Sequence, residues 1–71
     1  MENYAVIQFM NGGFSVQFEG SNLDNMKYNY HNLVANIYND AGAANGVVKL
    51  VDANLDVVDG CIEFIKKPAK G

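Results

Sequence analysis

The sequence predicts a single α+β domain with the element order ββαββ, in which one helix packs on one face of a four-stranded sheet. Only residues 21–40 sustain a helical period, because at about 100° per residue their apolar side chains fall in one arc. Alternating stretches at residues 4–19 and 47–66 flank this segment and predict two hairpins. One amphipathic helix can cover one face of one sheet, so the elements fit a two-layer fold. The arc contains Leu23, Met26, Tyr30, Leu33, Val34 and Ile37.

The first hairpin carries the strongest local signals. Residues 4–10 are rich in aromatic and β-branched side chains, and an Asn-Gly-Gly turn follows at residues 11–13. Residues 14–19 alternate between apolar and polar side chains, which predicts a half-exposed strand. After this strand, Ser21 and Asp24 resemble a capping box and predict that the helix starts at Ser21.

The second hairpin follows a glycine-containing loop at residues 41–46. Residues 47–52 and 56–66 predict its strands, and Asn54 in the turn between them is a residue that can accept the left-handed conformation. The proline and lysines beyond Ile65 predict a frayed tail over residues 66–71. The sequence therefore predicts one domain over residues 1–71, with its core over residues 4–65.

Two strand orders are compatible with a helix that crosses back over the sheet. Either the second and third strands meet in the middle, or the first and fourth do. The first and fourth are the more apolar, and central strands are the more buried. We therefore expect the order 2-1-4-3 with a parallel central pair.

Residues 9–21, FMNGGFSVQFEGS, contain an Asn-Gly turn, an alternating strand, Glu-Gly and a hydroxyl N-cap. This stretch is similar to the first hairpin and helix start of small immunoglobulin-binding domains of the protein L and protein G type. The resemblance covers roughly the first third of the chain and continues as element order. It implies the β-grasp fold, which has the same 2-1-4-3 order. No contact motif for antibodies maps onto this sequence, so the resemblance implies no antibody binding.

Composition limits the classes of function. The net charge is −3, and all five basic residues are lysines. The forked guanidinium that reads phosphate and guanine is absent, which disfavours nucleic acid as a partner. A single cysteine, Cys61, allows neither an internal disulfide nor a multi-thiol zinc site. The sequence shows no secretory pattern and no apolar run long enough to span a membrane, so we expect a cytoplasmic protein without a cofactor.

No group of residues predicts catalysis or metal binding. His31 flanks the apolar arc of the helix and Cys61 lies in a strand, with no third group to orient the imidazole. Asp52, Asp56 and Asp59 crowd the second turn, but their spacing lacks the glycine and glutamate of an EF-hand loop. Turn chemistry is the preferred interpretation of these aspartates. We therefore expect neither an enzyme nor a metal site.

Two surfaces are candidates for partner binding. The outward helix face carries neutral amides around a tyrosine where glutamate, lysine and glutamine are usual. An asparagine bias of the genome explains this face equally well. The sheet face away from the helix is expected to be apolar, which is typical of an interface.

The helix-face candidates are Asn25, Tyr28, Asn29, Asn32 and Asn36. The sheet-face candidates are Tyr4, Val6, Met10, Val51, Val57 and Ile65, with Val47 and Cys61 expected beside them. The alternation predicts that Ala5, Ile7, Phe9, Phe14, Val16, Phe18, Val48, Leu50, Val58, Ile62 and Phe64 face the helix.

These observations predict a small non-enzymatic protein-binding module. The preferred form is a phage or mobile-element inhibitor that occludes a bacterial host or defence complex, such as a CRISPR effector, in the host cytoplasm. An acidic surface would compete there for a basic groove. The alternatives are a homodimeric structural or assembly protein, and a single-strand nucleic-acid binder that uses Tyr4 and other sheet aromatics.

Overall fold

A computed structural model describes residues 3–69 and confirms the α+β class with one helix on one face of a four-stranded sheet. The strands are β1 (Tyr4–Met10), β2 (Gly13–Gly20), β3 (Ala44–Asp52) and β4 (Val57–Lys67), and the helix α1 is Leu23–Asn39. α1 lies between β2 and β3 in the chain and contacts all four strands. The helix therefore covers one side of the sheet, as the sequence predicts.

The strand order is 2-1-3-4, and every neighbouring pair is antiparallel. The predicted order 2-1-4-3 is wrong, and so are the parallel central pair and the β-grasp arrangement. β2 and β3 do run in the same direction, but β1 separates them. β3 begins at Ala44, earlier than predicted, and pairs with β1 along the whole of β1. This pairing makes β3, and not β4, the second central strand.

The Asn-Gly turn closes the first hairpin as predicted. Asn11 and Gly12 have φ values of 53° and 85°, which fit a two-residue turn whose twist suits antiparallel strands. Asn11 also contacts the start of β3. Its N–H donates to the Asn45 carbonyl at 2.8 Å, and its side-chain oxygen accepts from the Asn45 N–H at 3.1 Å. β1 and β3 are so close here that a Cβ at Gly46 would lie 1.8 Å from the Phe9 carbonyl oxygen.

The N-terminus of α1 lies one residue later than the capping pattern predicts. Asn22, and not Ser21, is the N-cap. Its side-chain oxygen accepts a hydrogen bond from the Asn25 N–H at 3.0 Å, which satisfies one of the free amides of the first turn.

The C-terminus of α1 is held by β4. The last turn of α1 has no basic side chain. The Lys67 ammonium instead donates to the backbone oxygen of Asp40, at 2.7 Å, and to that of Gly42. β4 therefore continues two residues beyond Ile65, where the sequence predicts the frayed tail to begin. Residues 70 and 71 of that predicted tail lie outside the described residues.

The core lies between α1 and one side of the sheet. The apolar arc of α1 faces this side, as predicted. The buried residues of the core are Val6, Met26, Tyr30, Ala44, Val48, Leu50, Cys61 and Ile65. Packed against them are the partly buried Tyr4, Met10, Leu23, Leu33, Val34, Ile37 and Val58.

The predicted facing of the strands is wrong at many positions. Tyr4, Val6, Met10, Cys61 and Ile65 are predicted to face away from α1 but pack against it. The alternating positions Ala5, Ile7, Phe9, Phe14, Val16, Ile62 and Phe64 lie on the opposite side instead. Both sides of β1, β3 and β4 carry apolar side chains, so alternation alone does not show which set faces the helix.

Two β-bulges add to this error. Gln17 has no partner in the β1–β2 register, so Phe18 pairs with Val6 on the helix side while Val16 lies on the other side. In β4 the register shifts around Asp59 and Gly60, which both have positive φ. A bulge moves the residues that follow it to the opposite face of the sheet. The prediction from sequence assumes strict alternation without bulges, so it assigns the residues on one side of each bulge to the wrong face.

Asp52 at the second turn binds the backbone of the turn. The Asp52 carboxylate accepts hydrogen bonds from the N–H groups of Asn54, at 2.8 Å, and Asp56, at 3.1 Å. Leu55, and not Asn54, adopts the left-handed conformation, with φ of 66°. A leucine is strained in this conformation because its Cβ crowds the backbone.

Candidate protein-interaction surface

The side of the sheet away from α1 presents three cross-strand rows, which we call the sheet face. In the strand order β2, β1, β3, β4, the first row is Phe14, Phe9, Val47 and Phe64. The second row is Val16, Ile7, Lys49 and Ile62, and the third is Glu19, Ala5, Val51 and Val57. Ten of these twelve positions are therefore apolar.

Large apolar side chains of the sheet face are exposed. The exposed fractions are 49% for Phe9, 55% for Phe14 and 74% for Phe64. The rings of Phe9 and Phe14 lie with their centroids 4.7 Å apart. The solvent side of an antiparallel sheet is ordinarily polar, and a contiguous apolar surface of this kind is typical of a protein interface.

A depression of about 460 Å³ lies over the β2, β1 and β3 part of the sheet face. Its lining includes Phe9 and Phe14 of the first row and Leu55 of the second turn, which is 72% exposed. The strained Leu55 therefore contributes its side chain to this surface. Strained residues of this kind concentrate at functional sites.

Two charged residues lie within the rows. Lys49 is half-buried in the middle row on a central strand, and Glu19 is exposed at the β2 edge. Both line the depression. Within residues 3–69 the Lys49 ammonium has no hydrogen bond or ion pair. The sheet face thus has a lone positive charge near its centre.

The sheet-face candidates predicted from sequence fall on both sides of the sheet. Tyr4, Val6, Met10 and Ile65 belong to the helix-side core, so their predicted exposure is wrong. Val51 and Val57 do lie on the sheet face, where Val51 is fully buried among its neighbours and Val57 is 37% exposed. The prediction missed Phe9, Phe14, Phe64 and Lys49. The glycine within β4, Gly60, is the sequence signal that indicates a bulge and a change of face.

The outward helix face is placed as predicted. Asn25, Tyr28, Asn32 and Asn36 are exposed, and Asn29 is half-buried. Tyr28 is 66% exposed. These residues form a polar surface on the side of the molecule opposite the sheet face.

A cleft of about 410 Å³ between α1 and β4 brings Cys61 and His31 together with Lys27 and Asp59. Burial raises the pKa of the Cys61 thiol, and Asp59 raises it further while Lys27 lowers it. A raised pKa favours the thiol over the nucleophilic thiolate. The Lys27 ammonium lies 2.6 Å from the Asp59 carboxylate, which raises the pKa of Lys27 through their hydrogen bond. Lys27 and Asp59 thus form an ion pair within the cleft.

Acidic residues do not converge into a metal site within residues 3–69, where no group of three or more potential ligands is found. Asp52 binds the backbone of its own turn, and Asp59 pairs with Lys27. Glu63 accepts a hydrogen bond from the Tyr38 hydroxyl at 3.0 Å, which raises the pKa of Tyr38. Each of these acidic groups has a structural contact.

The chain matches no protein-family model, no curated protein and no solved structure. Over residues 3–69, no helix combines the length and the apolar character needed to cross a membrane.

Proposed function

We propose that the protein is a non-enzymatic protein-interaction module whose main contact surface is the sheet face. The observation that carries this proposal is the apolar composition of ten of the twelve positions in the three rows. Burying exposed apolar area contributes roughly 25 cal/mol per Å². Phe9, Phe14 and Phe64 supply most of the bulk, and aromatic side chains are typical anchors of protein interfaces.

A protein fits this surface better than a single-stranded nucleic acid. Proteins that bind single-stranded nucleic acids combine exposed aromatic side chains, on which the bases stack, with a basic groove that follows the phosphates. The aromatic row is present, but the two other rows are largely aliphatic and contain one lysine and one glutamate. The net charge of −3 also opposes a polyanion. Tyr4, the aromatic predicted to stack, packs on the helix side.

Occlusion is the mode of action that suits such a module. The proposed setting is the cytoplasm of a bacterial host, where a phage or mobile-element protein of this size would cover the working surface of a host or defence complex. Support comes from the small size, the acidic charge and the asparagine-rich helix face, which remains exposed when the sheet face is covered. Inhibition of this kind requires binding alone, with no bond made or broken.

The test compares two exposed aromatic residues on opposite sides of the molecule. Phe64→Ser changes the sheet face and Tyr28→Ser changes the helix face, and the two side chains are similarly exposed. Immobilised wild type and both variants are incubated with host lysate, and bound proteins are quantified against the bait. We expect a stoichiometric protein that Phe64→Ser loses and Tyr28→Ser retains. Equal retention by the two variants, with sedimentation also unchanged, would refute the proposal.

A further inference from the structure

We infer that the occupant of the sheet face is an amphipathic helix of another protein, with one carboxylate inside its apolar stripe that pairs with Lys49. This inference rests on the proposed function, because it identifies the partner of the same surface. The complex would have three layers, with α1 on one side of the sheet and the partner helix on the other.

The central charge determines the chemistry of the partner. Lys49 is half-buried and lies between Ile7 and Ile62 in the middle row. A partner that covers this row removes water from the ammonium group. An unpaired charge in such a position is strongly unfavourable, whereas a hydrogen-bonded carboxylate offsets the loss of hydration. A purely apolar partner would therefore bind weakly.

The same charge opposes a second copy of the chain as the occupant. In a two-fold dimer each copy contributes the same surface. Lys49 lies on a central strand in the middle row, so an axis through the middle of the sheet face brings two ammonium groups into one desolvated region. With the axis there, Glu19 does not lie against the two ammonium groups, because its Cα is at the β2 edge, two strands and roughly 12 Å from the Cα of Lys49 by strand geometry.

The shape of the surface favours a helix. The depression is bordered by the Phe9–Phe14 pair in the first row and by Leu55 at the opposite end of the strands. These side chains leave a concave surface between them, which suits a cylinder with a ridge of side chains. The other side of the same sheet shows the size required, because the 17-residue α1 contacts all four strands.

The experiment uses two labelled helical peptides of about 18 residues, the length of a helix able to cross the sheet. Both have a leucine stripe, and the central stripe position is glutamate in one peptide and lysine in the other. Fluorescence anisotropy measures their binding to the wild type, to Lys49→Glu and to Phe64→Ser, with Tyr28→Ser as the control. We expect the wild type to bind the glutamate peptide at least about tenfold more tightly, a typical value for a close charge pair. Lys49→Glu should reverse the preference, and Phe64→Ser should weaken both peptides.

Four other results would overturn the inference. Equal binding of the two peptides that still depends on Phe64 refutes the role of Lys49 but leaves the sheet face as an interaction surface. Binding that Phe64→Ser does not affect refutes the proposed function as well. Self-association of the wild type that excludes both peptides identifies a second copy as the occupant, and binding of a labelled single-stranded oligonucleotide that depends on Lys49 and Phe64 identifies a nucleic acid.

Discussion

At the scale of single residues, Lys49 in the sheet face and Leu55 in the second turn depart from what a stable monomer would select. Leu55 has φ of 66° although its side chain is branched and apolar, and Lys49 lies among aliphatic neighbours without a charged partner in residues 3–69. A solvent-facing turn favours asparagine or glycine at positive φ. Both departures agree with the proposed contact of this surface with another molecule.

We expect Leu55→Asn to separate stability from binding. Asparagine tolerates the left-handed conformation, so the variant should gain about 1 kcal/mol in the free energy of unfolding, measured by urea denaturation. Its binding to the glutamate peptide should weaken, because the apolar border of the depression is lost. The control is Ala53→Asn in the same turn, an exposed position without positive φ. Unchanged or lower stability of Leu55→Asn would show that the turn carries no strain.

Tyr30 predicts how stability depends on alkaline pH. Burial raises the pKa of its phenol to about 12 from the usual 10.0. The folded chain therefore keeps this proton after the unfolded chain has lost it, so the contribution of Tyr30 is complete below pH 10 and falls as the pH rises towards 12. The loss is about 2–3 kcal/mol.

Urea denaturation at pH 9 and at pH 11.5 would measure this effect. Tyr30→Phe should lose less stability between the two pH values than the wild type does. Tyr28→Phe, at an exposed position of the same helix, should behave like the wild type. If all three proteins lose the same free energy of unfolding between the two pH values, the ionisation of Tyr30 does not destabilise the folded state.

At the scale of elements, the helix and the last strand depend on each other. α1 has no basic residue in its last turn, and the Lys67 ammonium binds the carbonyl oxygens of Asp40 and Gly42 beyond that turn. A positive charge at this end also interacts favourably with the helix dipole. The contact joins the C-terminus of α1 to the end of β4.

Lys67→Met keeps the aliphatic length and removes this contact. We expect it to lower the free energy of unfolding by about 1 kcal/mol. Lys66→Met is the matched control, since Lys66 is the exposed neighbour on the same strand. Hydrogen exchange would locate the effect, with faster exchange in the last turn of α1 expected for Lys67→Met alone. Equal stability of the two variants would indicate that β4 holds the helix end through backbone packing.

Local signals in the sequence predict the elements but not their arrangement. The Asn-Gly turn, the alternating strands and the helical arc place all five elements to within a few residues. The strand order depends on which strand pairs with β1, and the apolar content of the strands does not decide this. The glycine in residues 44–46 predicts a loop, yet these residues extend β3. Gly46 is required there because β1 passes too close to leave room for a Cβ atom.

The sequence predicts that the sheet has a second apolar face, but it does not predict correctly which residues form that face. An apolar second side of the sheet follows from alternation, because both sets of positions in β1, β3 and β4 contain apolar side chains. The choice between the two sets depends on bulges at Gln17 and at Asp59–Gly60, which reverse the facing within a strand. Glycine inside β4 signals the second bulge, whereas nothing local marks Gln17.

At the scale of the whole molecule, the two sides of the sheet differ in what covers them. One side of its sheet is covered by α1, and the other exposes three phenylalanines in one row. A fold of this size is close to the lower limit for a stable core, so an uncovered apolar face is also a risk of self-association. Natural proteins reduce this risk with charges placed within such surfaces. We expect Lys49 to have this role.

Lys49→Met tests this role directly, because it makes the middle row uniformly apolar while keeping the side-chain length. We expect the wild type to sediment as a monomer with a Tm independent of protein concentration. Lys49→Met should self-associate, and its Tm should rise by about 3–6 °C for each tenfold increase in concentration, as mass action on a dimer requires. Lys66→Met removes the same charge at the edge strand and should remain monomeric. A monomeric Lys49→Met would show that shape, and not the central charge, keeps two sheet faces apart.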